Sequence, residues 1–400
     1  MKILLLAPHP FYQPRGTPIA VDLLARALNE RGDEVDILTF HEGVDRHYER
    51  VRIYRIRPFI KVSNIGPGFS MKKLYCDVHL FFRFVFKLMR TRYDIVHAIE
   101  ESAFMAMVVC ALTSKPFVYD MDSSMTTQLV NKMKVLRPLS RFLAWMESLP
   151  IRQATVVVPM CDALARDALR FGARDVVVLR DIALNKLHEE SPKSKEVISL
   201  RRELGLSGKI AMYIGNLESY QGIDLMLESF ALVRGKTDVA DLVVIGGQDK
   251  DVRKYRDLAN NLGIGACVHF LGPKPIEALE AYMSQADIMI SPRTEGVNTP
   301  MKVYSYLASG VPVLATDLPT HTQVMNEKIA MLAPAEKQGF AEAMLRLIGD
   351  EKLCAALVQE AAGFIEKQHS YRSFKLTLYN LYSRLENQAD SGHPIQAEPK

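Results

Sequence analysis

The sequence has few cysteines and no long hydrophobic run, and each of these absences excludes some classes of protein. Its five cysteines in 400 residues are scattered and never form a Cys-x-x-Cys pair, which argues against a disulfide framework or structural zinc and for a reducing compartment. The apolar run that starts at Ile3 is too short for a signal-peptide core. The longest uncharged apolar stretch, 102–114, is shorter than the roughly 20 residues of a membrane-spanning helix. We therefore expect a cytoplasmic protein.

The chain also lacks a large net charge, but its charges are unevenly distributed. Residues 1–186 hold 27 Lys and Arg against 19 Asp and Glu, whereas the remainder holds 23 against 27. Within 52–92 there are ten basic residues and one acidic residue. A basic block of this kind predicts an anionic partner, either a phosphate-bearing ligand or a membrane surface.

Short apolar segments alternate with longer helical patterns along the chain. The segments are continuously apolar, as in Ile3–Ala7, which is typical of parallel strands buried on both faces. The alternation restarts after a polar, proline-containing stretch at 185–195, so we predict an α/β protein with two Rossmann-like doubly wound domains facing across a cleft. The predicted boundaries are 1–186 for an N-terminal domain, 187–365 for a C-terminal domain, 366–386 for a C-terminal helix packing back on the N-terminal domain, and 387–400 for a disordered tail.

Ligands of such folds bind at the carboxyl ends of the strands, and two loops there contain glycines. In the first, Gly16 precedes Thr17 and Pro18, a pair that predicts a helix start with Thr17 as its cap. A helix start beside glycine lets backbone N–H groups approach an anion, although a well-capped helix alone explains the pattern equally well. The second loop, 215–222, carries a glycine at each end, which permits close approach of the backbone to a ligand.

The most informative segment follows a strand that ends at Ser291. Here a polar loop with Arg293 leads to Thr299-Pro300, a pair that predicts a helix start, and the helix is expected to end at Gly310. Lys302 falls in the first turn of that helix. Cations beside a helix N-terminus suit a diphosphate.

Taken together, these segments resemble the retaining glycosyltransferases of the GT-B architecture, in particular glycosyltransferase family 4. The resemblance covers nearly the whole chain and implies transfer of a hexose from a nucleotide-sugar donor to an acceptor hydroxyl, with the donor on the C-terminal domain and the acceptor on the N-terminal one. The segments that carry it are KILLLAPHPFYQPRGTPIAVDLLARALNERGDEVDILT, YDIVHA, YIGNLESYQGIDLMLESF, LVVIGG, VHFLG and NTPMKVYSYLASGVPVLATDLP.

The sequence departs from the family pattern at functional positions. The family usually places an Arg and a Lys, which neutralise the donor diphosphate, where this chain has Asn216 and Gln221. The second of the family's paired glutamates falls on Ser305. Our working hypothesis is that Lys302 and Arg293 replace the missing diphosphate cations.

The loop patterns and the resemblance together give the following candidate site residues. Glu295 and Lys302 are the candidate catalytic residues, Glu295 bonding to sugar hydroxyls and Lys302 to the phosphates. No metal or other cofactor is predicted, and the nucleotide sugar is a substrate. The candidate donor-binding residues are Gly16, Gly215, Asn216, Gln221, Gly222, Gly272, Arg293, Asn298, Thr299 and Ser305.

The first domain supplies the expected acceptor contacts. Asp120 and Asp122 form an Asp-x-Asp, which binds a metal in the other large glycosyltransferase fold. Because the motif follows a strand of a Rossmann-like domain here, acceptor contact by both residues and by Glu100 is the preferred interpretation. The expected acceptor is a sugar, a polysaccharide or a lipid-linked molecule.

The basic block leaves two alternatives open. Residues 71–92 interleave cations with large apolar side chains, which suits a helix lying on an anionic membrane at its inner face. The same pattern suits a core helix with snorkelling cations, which is the preferred interpretation. No recognised nucleic-acid-binding module is present. For the chain as a whole, the alternatives to a transferase are a catalytically degenerate nucleotide- or glycan-binding protein on the same scaffold, or a GT-B sugar epimerase.

Overall fold

The computed structural model of the chain describes residues 1–13, 16–66, 68, 70–184, 199–296 and 299–391. They form two compact units, Met1–Arg180 with Phe374–Lys400, and Asp181–Ser373. The whole of the predicted linker at 185–195 and the end of the predicted tail, 392–400, lie outside the described residues.

The first unit is built on a six-stranded parallel sheet of order β3-β2-β1-β4-β5-β6. The central strands are almost completely buried, as their continuous apolar sequences require of a sheet covered on both faces. From β1 the chain adds strands towards one side of the sheet, β2 and then β3, and it then returns to add β4, β5 and β6 on the other side of β1. The order of strands therefore reverses between β1 and β4. The strands are β1 (Lys2–Ala7), β2 (Glu34–Thr39), β3 (Val51–Arg55), β4 (Ile95–Ile99), β5 (Phe117–Met121) and β6 (Val156–Pro159).

Helices cover both faces of this sheet. The connections β3 to β4, β4 to β5 and β5 to β6 all run towards the same side of the sheet. Because such crossovers are right-handed, their helices α2, α3 and α5 lie on one face. The connection β1 to β2 runs towards the other side, so its helix α1 lies on the opposite face. The helices are α1 (Gly16–Arg31), α2 (Met71–Arg90), α3 (Ser102–Thr113), α4 (Met125–Lys132), α5 (Ser140–Gln153) and α6 (Asp162–Arg170).

The second unit repeats this plan with a sheet of order β12-β11-β10-β7-β8-β9. Its direction reverses between β7 and β10, which pair in parallel. The strands are β7 (Lys209–Ile214), β8 (Ala240–Ile245), β9 (Val268–Gly272), β10 (Ile288–Ser291), β11 (Val313–Thr316) and β12 (Met331–Ala333). The helices are α7 (Leu200–Leu204), α8 (Ile223–Arg234), α9 (Asp249–Asn261), α10 (Leu279–Met283), α11 (Lys302–Leu307), α12 (Pro319–Thr322), α13 (Lys337–Gly349) and α14 (Glu351–Gln368).

The last helix, α15 (Tyr371–Ser391), joins the first unit from residue 374 onward. It begins and ends five residues later than the helix predicted at 366–386, and it includes the first residues of the predicted tail, which was expected to be disordered. Glu386 accepts a hydrogen bond from Arg31 at 2.5 Å, and Lys375 pairs with Glu30 at 2.8 Å. Tyr382 is completely buried, so the helix contributes to the core of the first unit.

Candidate active site

In the second unit, two loops meet where the direction of the sheet reverses. The loop after β7 and the loop after β10 leave neighbouring strands at their carboxyl ends, the usual position of a ligand in a doubly wound sheet. The backbone N–H of Thr294 donates to the carbonyl of Tyr220 at 3.1 Å. A Cβ on Gly222, whose φ is +72°, would lie 2.0 Å from the carbonyl oxygen of Pro292. Glycine is therefore required at this position for the two loops to touch.

Lys302, the first residue of α11, extends its side chain towards the loop after β7. Its Nζ donates to the hydroxyl of Tyr213 and to Oε1 of Gln221, both at 3.0 Å, and lies 4.0 Å from the centre of the Tyr213 ring. The hydroxyl of Tyr306 in the same helix bonds to the backbone of Ile214, which anchors α11 to β7. The Lys302 ammonium is thus held beside Gln221, the position where the resemblance places a diphosphate-binding lysine.

Arg293 is the second cation of the site. Its guanidinium lies 5.2 Å from the centre of the Tyr220 ring, and its Nε donates to the carbonyl of Glu295 at 2.7 Å. The loop can fold over it because Gly296 has φ +113° and no side chain, since a Cβ there would meet Arg293 at 2.1 Å. Among the described residues, neither Arg293 nor Lys302 forms an ion pair with a carboxylate.

The electrostatics follow from this lack of counter-charge. Burial, together with repulsion from Arg293, holds the pKa of Lys302 well below its usual range, and burial lowers the pKa of Arg293. A site that holds two incompletely solvated cations without carboxylate partners is predisposed to take up an anion, because the anion supplies the missing negative charge.

Beneath the cations lies a neutral, fully buried histidine. His321 Nε2 is 2.8 Å from Ser291 Oγ, and Nδ1 is 2.9 Å from Thr316 Oγ1. Burial lowers the pKa of His321 to about 4, so the ring adds no further positive charge at neutral pH. Thr316 in turn donates to the carbonyl of Arg293 at 2.6 Å, which fixes the start of the loop that carries this arginine.

A cleft of about 420 Å³ lies at the carboxyl ends of the same sheet. One of its lining residues is Gly215. A Cβ on Gly215 would lie 2.8 Å from Lys302 Nζ, so the cleft adjoins Lys302. Most of its lining residues were not predicted as site members, although the LVVIGG segment was recognised. Those not predicted include Gly246 and Gly247, which end that segment, and Lys250 and Lys274.

The other predicted donor residues have different environments. Asn216 is exposed and bonds to the Tyr220 hydroxyl at 3.3 Å, whereas Gln221 is buried. Gly272 ends β9 with φ +65° and open space around it. Gly16 belongs to the first unit, where it is exposed at the start of α1. Asn298 lies outside the described residues.

The loop before α11 holds the remaining predicted residues. Ser305 is buried, and its Oγ accepts a hydrogen bond from the backbone N–H of Leu184 at 3.2 Å. Glu295 is exposed. Thr299 is 7% exposed, and its hydroxyl has no hydrogen-bond partner among the described residues.

Both predicted helix caps are wrong. Helix α11 starts at Lys302 and has six residues, with no side-chain cap at its start, so Thr299 precedes the helix without capping it. Such a short helix adds little dipole, so the positive charge of the site comes from side chains. In the first unit, α1 already begins at Gly16, which places Thr17 inside the helix. A local pattern places the ends of a helix only to within a few residues, which is the size of both errors.

In the first unit, polar side chains gather where β4 and β5 end. His97 is buried between the hydroxyl of Tyr382, 2.8 Å from Nδ1, and Asp120 Oδ2, 3.1 Å from Nε2. Glu100 follows β4 with φ +48°. Burial, with repulsion from Glu101, raises the pKa of Glu100 to about 7.

The neighbours of Glu100 complete this cluster. Lys73 Nζ lies 2.5 Å from Glu101 and 3.9 Å from Glu100, and Ser123 Oγ lies 3.5 Å from Glu100. Asp122 is half-buried one residue before Ser123. The fold therefore brings the predicted acceptor residues Glu100 and Asp120 to one edge of the sheet, with Asp122 on the loop that follows.

Two sequence families match the two units. The family described as glycosyl transferase 4-like domain matches residues 15–180, and that described as glycosyl transferases group 1 matches residues 197–364. The chain belongs to the family 4 glycosyltransferases. As a glycosyltransferase with the GT-B fold, it transfers a sugar from a nucleotide-sugar donor to an acceptor, within carbohydrate or glycolipid biosynthesis.

Individual relatives of this glycosyltransferase have low sequence identity, but they align with it over nearly the whole of both chains. It is 26% identical to D-inositol 3-phosphate glycosyltransferase of Corynebacterium aurimucosum, over 96% of each chain. It is 23% identical to phosphatidyl-myo-inositol mannosyltransferase of Mycobacterium leprae, over 99% of each chain. The Anabaena protein HepE, solved in complex with UDP, superposes with a TM-score of 0.73 at 17% identity, over 96% of this chain and all of HepE. Among the described residues, no helix is long and apolar enough to cross a membrane.

Proposed function

We propose that this glycosyltransferase binds the diphosphate of its donor with Lys302 and Arg293 and transfers a hexose with retention of configuration. The observation that carries the proposal is the Lys302 ammonium, held by two neutral oxygens of Tyr213 and Gln221 at 3.0 Å and without a carboxylate partner among the described residues. A cation in this state gains more from a phosphate than one already paired.

The cleft beside Gly215 suits the nucleoside. Ile214, Ile245 and Leu279 provide apolar surface for a base, and the glycines after β7 and β8 permit close approach of the backbone. The related fold of HepE holds UDP, so UDP and UDP-glucose are the first ligands to test. Thr299, whose buried hydroxyl lacks a partner among the described residues, is a further phosphate or sugar contact.

In the proposed reaction, the bond between the anomeric carbon and the diphosphate oxygen breaks, and the acceptor oxygen bonds to the same face of that carbon. The acceptor proton passes to the departing diphosphate oxygen, so no protein nucleophile is needed. Lys302 and Arg293 stabilise the charge that develops on the leaving group. Because these two cations supply that stabilisation, we propose that no resident metal takes part, and we expect turnover to persist in EDTA.

The acceptor is proposed to bind the polar edge of the first unit. Carboxylates accept hydrogen bonds from sugar and polyol hydroxyls, and Glu100, Asp120 and Asp122 provide them at the carboxyl ends of β4 and β5. Two relatives are named for inositol-containing acceptors, which favours a polyhydroxylated ring as the acceptor group. In this arrangement Glu295 bonds to hydroxyls of the donor sugar.

The test is calorimetric binding of UDP followed by an assay of UDP release from UDP-glucose and a panel of acceptors. We expect Lys302→Met and Arg293→Ala each to weaken UDP binding about ten- to 150-fold, the equivalent of losing about 1.5–3 kcal/mol of charged hydrogen bonding. Lys328→Met, which removes an exposed lysine of the same unit, is the matched control. Unchanged affinity in both site variants would refute the diphosphate assignment, and binding without any turnover would favour a binding protein.

A further inference from the structure

The exposed apolar surface of the described residues is concentrated on one part of the first unit. Nineteen large hydrophobic side chains are exposed, and 13 of them lie on α2, on α3 or in the segment 135–146 that contains the start of α5. The second unit, of similar size, exposes one, Val239. Scattered exposed apolar residues are ordinary, but a concentration of this kind marks an interaction surface.

Helix α2 shows how this surface is built. Each residue of a helix advances about 100° around the axis, so Leu80 and Phe84, which are completely buried, lie on the face opposite Phe82 and Met89. The latter two are 67% and 81% exposed. One apolar stripe thus belongs to the core, and a second faces water along the full length of the helix. The exposed stripe consists of Met71, Leu74, Val78, Phe82, Phe86 and Met89.

The neighbouring helices of the same layer extend the surface. Helix α3 packs against both α2 and α5, and all three lie on one face of the sheet. On α3, Leu112 is 82% exposed. We call the exposed side chains of α2, of α3 and of the segment 135–146 the basic apolar face. Beyond α2, it includes Val108, Leu112, Val135, Leu139, Phe142, Trp145 and Met146.

The charges of the basic apolar face are of one sign. Helices α2 and α3 and the segment 125–153 contain two acidic residues, Asp77 and Glu147. Glu147 is buried and accepts hydrogen bonds from the start of α4, and burial raises the pKa of Asp77 to about 8. The exposed cations on these segments include Lys72, Arg83, Arg90, Arg137 and Arg141.

We propose that the basic apolar face docks onto the surface of an anionic membrane. Large apolar side chains enter the boundary between headgroups and acyl chains, while the flanking cations contact lipid phosphates. A second copy of the chain fits the face poorly, because a two-fold interface would bring its cations against themselves without acidic partners. The proposal goes beyond the transferase reaction and does not depend on the diphosphate site.

The test is sedimentation of the full chain with vesicles made of equal parts phosphatidylglycerol and phosphatidylcholine, and with vesicles of phosphatidylcholine alone. We expect binding to the anionic vesicles that weakens as salt is raised. Phe82→Ser with Met89→Ser should lower the partition coefficient about tenfold or more, and Arg83→Gln or Arg90→Gln about fivefold each. Leu376→Ser, which removes an exposed leucine of α15, should bind like the wild type.

Three results would overturn the proposal. In the first, the wild type stays in the supernatant with anionic vesicles at low salt. In the second, the Phe82→Ser/Met89→Ser variant binds as tightly as the wild type. In the third, sedimentation velocity without lipid shows a dimer that this variant abolishes, which would assign the face to a second copy. Lys302→Gln should leave vesicle binding unchanged. UDP binding therefore tests the diphosphate assignment, and vesicle binding tests this proposal independently of it.

Discussion

The position of the Lys302 ammonium predicts that its charge can be supplied from the other loop. Nζ lies 3.0 Å from Oε1 of Gln221, so a lysine at 221 would bring an ammonium to nearly the same point from the loop after β7. The double variant Gln221→Lys/Lys302→Gln exchanges the two side chains and keeps both the net charge and the hydrogen-bonding pair.

We expect the single variant Lys302→Gln to lose about ten- to 150-fold in affinity for UDP, because one charged contact to a phosphate contributes about 1.5–3 kcal/mol. The exchanged double variant should recover most of that loss. The single variant Gln221→Lys places two ammonium groups side by side near Arg293 and should fold less stably than the wild type, since a third buried cation adds repulsion without a partner.

The assay is isothermal titration with UDP at two salt concentrations, with the thermal midpoint of each variant as a check on folding. The salt dependence should fall in Lys302→Gln and return in the exchanged variant. An exchanged variant that folds but binds no better than Lys302→Gln would refute the reasoning, because it would show that the location of the charge does not determine affinity.

Three further predictions concern stability and the acceptor. Lys302→Met should raise the thermal midpoint without ligand. The lysine's pKa is lower in the folded than in the unfolded chain, so wild-type stability rises with pH between those two values, and the variant should lose that slope. Gly222→Ala should cost about 1–3 kcal/mol in chemical denaturation and weaken UDP binding, because its Cβ would clash with the Pro292 carbonyl at positive φ; unchanged stability would contradict this. Asp120→Asn should lower kcat/KM for the acceptor about tenfold or more and leave UDP affinity unchanged; a loss of UDP affinity instead would contradict the acceptor assignment.

Local sequence pattern predicted the central strands well because those strands are buried on both faces. A continuous apolar run such as β1 or β7 has few structural alternatives. The edge strands β3 and β12 were not predicted. In β3, Val51–Arg55, charged and apolar residues alternate, because an edge strand exposes part of its surface. In β12, Met331–Ala333, three residues carry too little pattern to distinguish a strand from a turn. The apolar run at 176–179 also predicts a strand, but in the structure it forms one isolated bridge, between Val176 and Val157.

The hydrogen-bond partners of Lys302 in the candidate site could not be predicted from the local sequence pattern. Lys302 and Arg293 were identified because both follow β10 in sequence. The partners of Lys302, Tyr213 and Gln221, are 89 and 81 residues away. They meet it because β10 pairs with β7, and strand order in a doubly wound sheet is not encoded in the periodicity of either strand. The resemblance to the family identified the loops, but the contact between them needed the structure.

This contact changes how the departures from the family pattern are interpreted. Judged by motif alone, Asn216 and Gln221 remove both cations from the loop after β7 and favour a degenerate site. In the fold, however, the ammonium of Lys302 reaches that same loop from the neighbouring strand, and the cost of keeping it there without a counter-ion is visible in its lowered pKa. A buried lysine without a counter-ion lowers the stability of the fold, so stability does not explain its position, whereas binding of an anion does. We infer that the site retains the location of the charge while changing the residue that supplies it.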